Sequence, residues 1–385
     1  MKVICDRGAL NEAVNVISGV VAMRSPRPQL GCVKLVAVGG DTPELQLTAT
    51  DAEISLRLRV DRVEVEEAGE ALVPADKLAQ IIRAEDAEPT LAVSSSGDTT
   101  HIVGEDAHFQ LRGFPPGDFP AIRALDAFTE ASEGFSRFDL TAGTLENLIR
   151  RTLFAAAREN SRYAINGVLV KRTGGRLEMV ATDGRRLAMS RASVSEGADD
   201  VACIAPSKAL NLVQKLVDHR DEAVAIAADA SQIVFGFGLG DDARPRAVLS
   251  SALVEGSFPP YEDVIPKDQD IKATFTKDTL ASAVRRAALL TNEESRGVRM
   301  AFGSSAKRLE LSSRVPEMGE ARVGVDLESF DGSDIEIGFN PQFITDALKV
   351  IDEPTVLLEL KASSKPGLLR SGSDFVYVVM PVNLQ

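Results

Sequence analysis

Side chains that commonly carry catalysis or hold metals are few and scattered in this chain. Its 385 residues include three histidines and three cysteines, and Cys5, Cys32 and Cys203 have no metal-ligand spacing. The sequence contains no HExxH motif, P-loop or CxxC pair. We therefore predict no metal or other cofactor, and we expect three small buried thiols in a reducing compartment.

Two features could carry chemistry, and each has a simpler structural explanation. Asp183 could act as a catalytic carboxylate, but an aspartate before a glycine more often stabilises a turn. Gly236, Gly238 and Gly240 form a glycine-rich run, which is followed by Asp241 and further polar residues. This is a poor opening for a phosphate-binding helix, so a loop or bulge is predicted there.

The most informative stretch runs from Arg162 to Met189. Its apolar segments are separated by Thr173-Gly174-Gly175 and by Asp183-Gly184. Gly-Gly and Asp-Gly pairs tolerate the positive φ of tight turns, so the stretch predicts a meander of three strands. Two arginines directly after the second turn indicate an exposed, functional rim.

Two types of helix recur along the chain and predict a threefold repeat. The first opens with a capping residue and is expected at residues 6–17, 141–157 and 276–290. Its members Leu10, Leu145 and Leu280 are equally spaced along the chain. The second opens with proline and is expected at residues 74–83, 206–216 and 341–350. Strand-like alternation, as in Ile54 to Val60, fills most of the remainder.

Self-similarity at this period predicts three similar α+β domains. We place them at residues 1–130, 131–266 and 267–385, with polar linkers at 124–134 and 267–270. A hydrolase or nuclease that uses Asp51 and Asp183 with a metal is an open alternative. The repeat argues against it, because it puts these two carboxylates in different domains.

The chain is acidic as a whole, but basic residues recur on its predicted helices. A net charge of −14 argues against a nucleic-acid partner, because phosphates attract cations. Nevertheless, Arg285 and Arg286 repeat Arg150 and Arg151 at the same spacing as the leucines, opposite or beside the apolar helix faces. If the helices line a closed ring of domains, these four arginines and Arg24 are expected to contact phosphate without reading sequence.

The central stretch resembles the bacterial DNA polymerase sliding-clamp family, the beta subunits of the replicative polymerase. The matching residues are Arg162, Tyr163, Asn166, Gly167, Ala181, Thr182, Asp183, Gly184, Arg186 and Leu187. A weaker similarity extends from Met1 to Pro381. The resemblance implies three domains of the DNA-clamp type, closed into a ring as a head-to-tail homodimer around double-stranded DNA.

The resemblance also implies a function without catalysis. The ring would tether the catalytic subunit of a replicative DNA polymerase, and an ATP-driven clamp loader would close it around DNA. Other replication and repair proteins would share one peptide-binding groove. The groove residues carried over from the family are Ile165, Thr182, Gly184, Arg185, Arg186, Leu187, Pro259, Val264, Asn340, Phe343, Val378, Val379, Met380 and Pro381. Among these, Met380 and Leu187 are expected to be the apolar anchors.

The ring seam is expected at four apolar residues. Leu289 and Leu290 lie off the apolar centre of their predicted helix and so need a partner outside the domain. The family seam implies that this partner is Phe109 and Leu111 of a second subunit.

This chain departs from the family pattern in three places. Asp263 stands where the family often has a basic residue, Ser295 stands where it can have an aromatic one, and the chain ends at Val382–Gln385 without arginine-leucine. These differences concern the preferred partner motif.

The sequence also bears on the location of the protein and on alternative functions. The charged N-terminus is unlike a signal peptide and no apolar run has membrane-spanning length, so a cytoplasmic protein without a membrane partner is expected. The alternatives to a replicative clamp are a non-encircling adaptor and a clamp paralogue in DNA repair.

Overall fold

Three consecutive stretches of the chain have closely similar orders of helices and strands, although the second has one strand fewer between its two helices among the described residues. The computed structural model describes residues 1–22, 24–126, 128, 135–158, 164–194, 200–239, 244–291, 297–303 and 307–383. The first stretch contains β1 (Lys2–Asp6), α1 (Arg7–Ile17), β2 (Cys32–Val38), β3 (Glu44–Thr50), β4 (Ile54–Val60), β5 (Val63–Glu67), β6 (Gly69–Pro74), α2 (Ala75–Ala84), β7 (Thr90–Ser96), β8 (Thr99–Val103) and β9 (His108–Arg112).

The second and third stretches follow the same plan. The second contains β10 (Ser136–Thr141), α3 (Ala142–Thr152), β11 (Gly167–Thr173), β12 (Arg176–Thr182), β13 (Arg186–Ser193), β14 (Val201–Pro206), α4 (Ser207–Leu216), β15 (Ala223–Ala228), β16 (Gln232–Leu239) and β17 (Pro245–Ala252). The third contains β18 (Ile271–Thr276), α5 (Lys277–Ala287), β19 (Val298–Gly303), β20 (Arg308–Val315), β21 (Gly319–Asp326), β22 (Ser329–Asp331), β23 (Ile335–Phe339), α6 (Pro341–Lys349), β24 (Thr355–Leu360), β25 (Gly367–Ser371) and β26 (Phe375–Val379).

The threefold repeat and the α+β fold class are therefore confirmed. The helices α1, α3 and α5 each have 11 residues, and they begin at the equally spaced positions Arg7, Ala142 and Lys277. Leu10, Leu145 and Leu280 are all buried, as their spacing predicts. Burial of one such side chain contributes about 1.5–3 kcal/mol, so the repeating leucines fix each helix on its sheet.

In the first of two compact units, Met1–Glu146 with Val194–Leu253, strands of two repeats share a sheet. One sheet has the order β5-β1-β7-β8-β9, and the other has the order β10-β15-β16-β17-β4-β3-β2-β6. Strand β17 pairs antiparallel with β4, with Leu249 opposite Leu56. The sheet therefore continues from the second repeat into the first, as expected for repeats with strand-rich edges.

The second compact unit, Asn147–Ser193 with Val254–Gln385, repeats this arrangement. One of its sheets contains, in order, β11-β12-β13-β26-β25-β24-β18-β22, and another has the order β21-β20-β19-β23. Strand β13 pairs antiparallel with β26, with Leu187 opposite Val378. Tyr377 donates a hydrogen bond of 3.0 Å to the carbonyl of Phe343 in α6, so α6 covers one face of this sheet. The neighbouring Val376 points to the opposite face.

Three details of the predicted elements are wrong. Asp6 and Thr141 cap their helices through Ala9 N (2.8 Å) and Thr144 N (3.2 Å), but the Thr276 side chain makes no cap bond. The helices α3 and α5 end at Thr152 and Ala287, because the last turns tighten into the 3-10 helices Leu153–Ala155 and Ala288–Leu290.

The opening prolines and the first linker also differ from expectation. Pro74 and Pro206 precede their helices as the last strand residues, whereas Pro341 opens its helix. Within the predicted linker 124–134, Leu125 is buried against Ala227, Val234 and Val248. The apolar Leu125 thus makes part of this mainly polar segment belong to the hydrophobic core.

The cysteines agree with the expectation of small buried thiols. All three cysteines are free and buried, and burial raises the pKa of the Cys32 thiol to about 11. Within the described part of the chain, no helix is both long and apolar enough to cross a membrane.

Candidate functional site

The turn between β12 and β13 is closed by hydrogen bonds of its own side chains. Asp183 Oδ1 accepts from the backbone amides of Arg185 (3.0 Å) and Arg186 (3.1 Å). Thr182 Oγ1 donates to the Arg186 carbonyl at 2.6 Å and accepts from Gly184 N at 3.1 Å. Gly184 has φ +84°, which other residues rarely adopt. Asp183 therefore stabilises the turn, as the sequence favoured over a catalytic role.

Arg186 fixes this turn to the rest of the second unit. Its guanidinium donates to Asp183 Oδ2 (3.0 Å), to Asp346 Oδ2 (3.0 Å) and to the Phe154 carbonyl (2.9 Å). It also lies 4.5 Å from the ring centroid of Phe343. Burial disfavours the cation, but the nearby Tyr377, Asp346 and Asp183 still raise the pKa of Arg186. Arg186 is thus a charged structural anchor, and its partners Asp346 and Phe154 lie too far away in sequence to be predicted.

The rim of the predicted groove is formed by two adjacent strand ends. In the pairing of β13 with β26, Arg186 lies opposite Val379 and Leu187 opposite Val378. Met380 N donates to the Arg185 carbonyl at 2.9 Å, which extends the pairing beyond the strands. The structure thus brings together the two most distant parts of the predicted groove.

Some of the predicted groove residues are exposed and can contact a peptide, whereas others are buried beneath the surface. Leu187 is 2% exposed, and Ile165, Thr182, Val378 and Val379 are also buried. Met380 is 39% exposed and Val264 is 45% exposed. The anchor role predicted for Leu187 is therefore wrong in this conformation, because a buried side chain offers a peptide almost no surface. The core-packing explanation considered for Val378 is correct.

The remaining groove residues belong to a loop and a helix end. Asn340 caps α6 by accepting from Gln342 N at 2.9 Å, and the half-buried Phe343 follows in the first turn. The loop that leads to Pro259 is held near Ile165, because Ala164 N donates to the Ser257 carbonyl at 3.4 Å. Pro381 is half-buried, and Gly184 and Arg185 are exposed. From the matching stretch, Arg162 and Tyr163 lie outside the described residues, as does Ser295.

The five predicted phosphate contacts fall into two groups. Arg24, Arg285 and Arg286 are exposed. The last two lie in the final turn of α5, whose opposite face buries Leu280 and Val284. Cations near a helix C-terminus are also favoured by the helix dipole. These three side chains can meet an anion without giving up an ion pair within the described part of the chain.

Arg150 and Arg151 have a different environment, although they repeat the positions of Arg285 and Arg286. Arg150 forms an ion pair with Asp352. Arg151 is buried, lies 3.4 Å from Asp352 Oδ2 and 3.5 Å from Glu353 Oε1, and covers the ring of Phe375. Burial would raise the pKa of Asp352, yet the two arginines lower it. The expectation that Arg151 is a free phosphate contact is wrong, since it is buried and already neutralised.

The predicted seam residues occupy exposed or edge positions. Leu289 is 75% exposed at the end of α5, and Leu290 is half-buried. Phe109 and Leu111 are half-buried on β9, which is an edge strand of its sheet. Met318, which no sequence pattern singled out, is 64% exposed in the turn before β21. A Cβ added to Gly319 would lie 3.9 Å from Leu290 Cδ1, so this turn adjoins the predicted seam.

The features considered for catalysis have structural roles. Gly236 and Gly238 lie within β16, the next described element is the strand β17, and Gly240 lies outside the described residues. Asp51 accepts from the amides of Glu53 (3.0 Å) and Ile54 (2.7 Å), as expected of a turn residue. Among the described residues, the one carboxylate cluster compact enough for a cation is Glu85, Glu88 and Asp106, and it includes neither Asp51 nor Asp183.

Comparisons with known proteins agree along the whole chain. The DNA polymerase III beta subunit family matches with its N-terminal domain over residues 1–123, its central domain over 139–260 and its C-terminal domain over 262–383. The beta sliding clamp of Pseudomonas aeruginosa is 32% identical over 98% of both chains, and that of Escherichia coli is 31% identical over 100% of both.

Solved structures show the same similarity. The P. aeruginosa sliding clamp bound to griselimycin superposes with a TM-score of 0.90 at 32% identity, and the Bacillus subtilis sliding clamp with 0.89 at 25% identity. Each comparison covers 100% of both chains.

Proposed function

This chain belongs to the DNA polymerase III beta subunit family, the bacterial sliding clamps, and from that premise we propose how its residues engage a partner peptide, DNA and a second copy. As a DNA sliding clamp, it tethers the DNA polymerase to its template and confers processivity, without an active site of its own. This assignment does not favour the hydrolase or the non-encircling adaptor.

Partner proteins dock in the groove around the ends of β13 and β26. The observation that carries this proposal is the pairing of Arg185–Leu187 with Val378–Met380, which presents one exposed apolar side chain beside a fixed turn. Met380 and Val264 supply the accessible apolar surface, while Arg186 holds the turn rigid. A preformed site saves the entropy of ordering its walls on binding.

The groove serves several partners of the same kind. These are the catalytic subunit of the replicative polymerase, an ATP-driven clamp loader, and other replication and repair proteins that carry clamp-binding peptides. Because one groove receives them all, they compete, and exchange of partners follows from their concentrations and affinities. The chain acts on cytoplasmic DNA.

Duplex DNA is contacted through phosphate by Arg24, Arg285 and Arg286, with Arg150 as a weaker contributor. All three principal residues are exposed, and none forms an ion pair within the described part of the chain. Contacts of this type attract any sequence equally, which is what a protein that slides requires.

Two copies close the ring through the exposed apolar ends of the third repeat. Leu289 and Leu290 of one copy pack on Phe109 and Leu111 of the other. The edge positions of β9 and β21 support this arrangement, because edge strands carry unpaired backbone groups that can pair with another chain. Burial of Leu289 would remove the most exposed large apolar side chain of the described residues.

Retention on DNA of different topology tests the proposal. The protein is loaded by a clamp loader and ATP onto nicked circular DNA and then passed through a gel-filtration column in high salt. We expect retention on the circle and loss after the DNA is cut once, since a linear end lets a ring slide off. An adaptor that binds without encircling would leave both DNA forms equally, which would contradict ring closure.

A further inference from the structure

A charged cleft lies in the second compact unit, apart from the predicted groove. Its volume is about 690 Å³, within the range of about 300–1,000 Å³ that is usual for ligand pockets. It is lined by Lys171, Thr173, Arg176, Glu178, Met189, Arg191, Tyr261, Glu262, Ile265, Pro266, Lys267, Arg370 and Val376. None of the groove residues is among them. Val376 points away from α6, so the cleft lies on the sheet face opposite that helix.

The charge of this cleft is opposite to that of the whole protein. Five basic and two acidic side chains line it, whereas the chain carries a net charge of −14. Charge of one sign that lines a concave site focuses the electric field there, so this cleft attracts negative groups.

Three of the five cations are neutralised by partners. Arg191 Nε lies 2.6 Å from Glu178 Oε2, and Lys171 Nζ lies 3.1 Å from Glu262 Oε1. Arg370 pairs with Glu359 at 2.6 Å, just beyond the lining. Lys171 also lowers the pKa of Glu262, so this pair stays charged near neutral pH.

Arg176 and Lys267 remain as the two cations without an ion pair. Both are exposed, and neither has an ion-pair partner within 4.0 Å in the described part of the chain. They come from different segments, since Arg176 begins β12 and Lys267 follows the 3-10 helix Tyr261–Asp263. Two separate positive positions can therefore receive two separate negative groups.

The floor of the cleft is apolar and its walls are fixed. Met189 and Val376 are buried in neighbouring strands, and Ile265 and Pro266 form a half-buried rim. Tyr261 is hydrogen-bonded to Glu178, and Lys171 lies 5.9 Å from its ring centroid. These contacts orient the charged walls before any ligand arrives, which reduces the entropy cost of binding.

We propose that this cleft binds a short acidic peptide segment of a partner protein. Its carboxylates would lie on Arg176 and Lys267, with an apolar side chain against the half-buried rim of Ile265 and Pro266. Glu178 and Glu262 also line the cleft, so a densely charged phosphate backbone would meet more repulsion there than a peptide with a few carboxylates. The site goes beyond the proposed function, because a partner could use it together with the groove or without it.

The probe is the hexapeptide acetyl-Glu-Leu-Asp-Glu-Leu-Asp-amide, with its Gln/Asn counterpart as the uncharged control. Binding to the full-length protein is followed through the ¹³C-methyl resonance of Met189, which is assigned with the variant Met189→Leu. The peptide is titrated into the protein at low and at moderate salt, so that the salt dependence of its affinity is measured. The variant Arg176→Glu with Lys267→Glu reverses the two free charges. Lys365→Glu with Lys307→Glu is the matched control, because both are exposed lysines of the same unit outside the cleft lining.

We expect saturable binding that weakens with salt and shifts the Met189 methyl resonance. Charge reversal should weaken binding at least about tenfold, since attraction becomes repulsion at two positions, and the control variant should bind like the wild type. Truncation of the chain after Val379 should leave this binding intact, which separates the cleft from the groove. Equal binding of the uncharged peptide, equal affinity in the reversal variant, or preferential binding of a dT12 oligonucleotide would each overturn the proposal.

Discussion

Arg186 Nη1 lies 3.0 Å from Asp346 Oδ2, so the first residue of β13 is tied to the middle of α6. The same guanidinium binds Asp183 in the preceding turn and the Phe154 carbonyl. One side chain therefore holds three segments that are distant in sequence, and it sets the position of the rim at which Arg185 meets Met380.

Substitution Arg186→Ala should lower the free energy of unfolding of the protein. Loss of hydrogen bonds to a charged group costs about 1.5–3 kcal/mol, and Asp183 and Asp346 would each lose one of their partners. The urea midpoint of the variant measures this loss. The neighbouring Arg185→Ala is the control, because that exposed side chain should change stability by less than about 0.5 kcal/mol. Equal losses in both variants would contradict an anchoring role for Arg186.

Met380→Ala should weaken the binding of partner peptides and reduce the stimulation of the polymerase. An interface hot spot costs about 2 kcal/mol or more on truncation, whereas a rim residue costs far less. Peptide affinity and primer extension measure the effect, with Met318→Ala as the control in the peptide assay alone, because this exposed methionine lies outside the groove. Truncation after Val379 should abolish stimulation and weaken loader binding while the dimer persists. Stimulation at the wild-type level would show that partners dock elsewhere.

Leu289→Ala combined with Leu290→Ala should convert the dimer to folded monomers. Leu289 exposes 75% of its surface, so its removal scarcely affects the fold of its own chain but removes apolar area from a seam. Sedimentation equilibrium at low protein concentration measures the mass, and Val264→Ala serves as the exposed apolar control. A dimer of unchanged affinity would remove these residues from the seam.

Alanine substitution of Arg24, Arg285 and Arg286 should flatten the salt dependence of DNA binding. The slope of log K against log salt changes by about 0.9 for each phosphate that is no longer neutralised. Arg151→Ala should leave the slope unchanged and lower stability instead, because that side chain is buried between Asp352 and Phe375. If the triple variant kept the wild-type slope, Arg24 and the arginines of α5 would not contact DNA.

Asp352 should make part of the stability depend on pH. Its pKa is lowered in the folded state by Arg150 and Arg151, against the effect of burial. A lowered pKa contributes stability above the unfolded value of about 4, and this contribution is lost as the pH falls through the folded value. Unfolding midpoints between pH 7 and pH 3 should therefore converge for the wild type and Asp352→Asn. A constant difference over this range would exclude the ion pair as the cause.

The local pattern of the sequence determined the repeat, the elements and the family. Equally spaced leucines predicted equivalent helices, because each helix must bury the same face to be stable. Asp183-Gly184 predicted its turn, because the backbone there needs a residue that accepts positive φ. These patterns involve residues that are close together in sequence, so they do not depend on which distant segments pack against them.

The burial and ion pairing of the candidate site residues were decided by tertiary structure. Arg151 and Arg286 occupy equivalent helix positions, yet Arg151 is buried against Asp352, far away in sequence, and Arg286 is exposed. Leu187 and Met380 both matched the groove, but pairing with β26 buries Leu187 and leaves Met380 at the rim. The cleft around Arg176 and Lys267 likewise collects charges from four strands and from the segment that contains Glu262 and Lys267. Burial and ion pairing depend on contacts between distant segments, and no local spacing encodes these contacts.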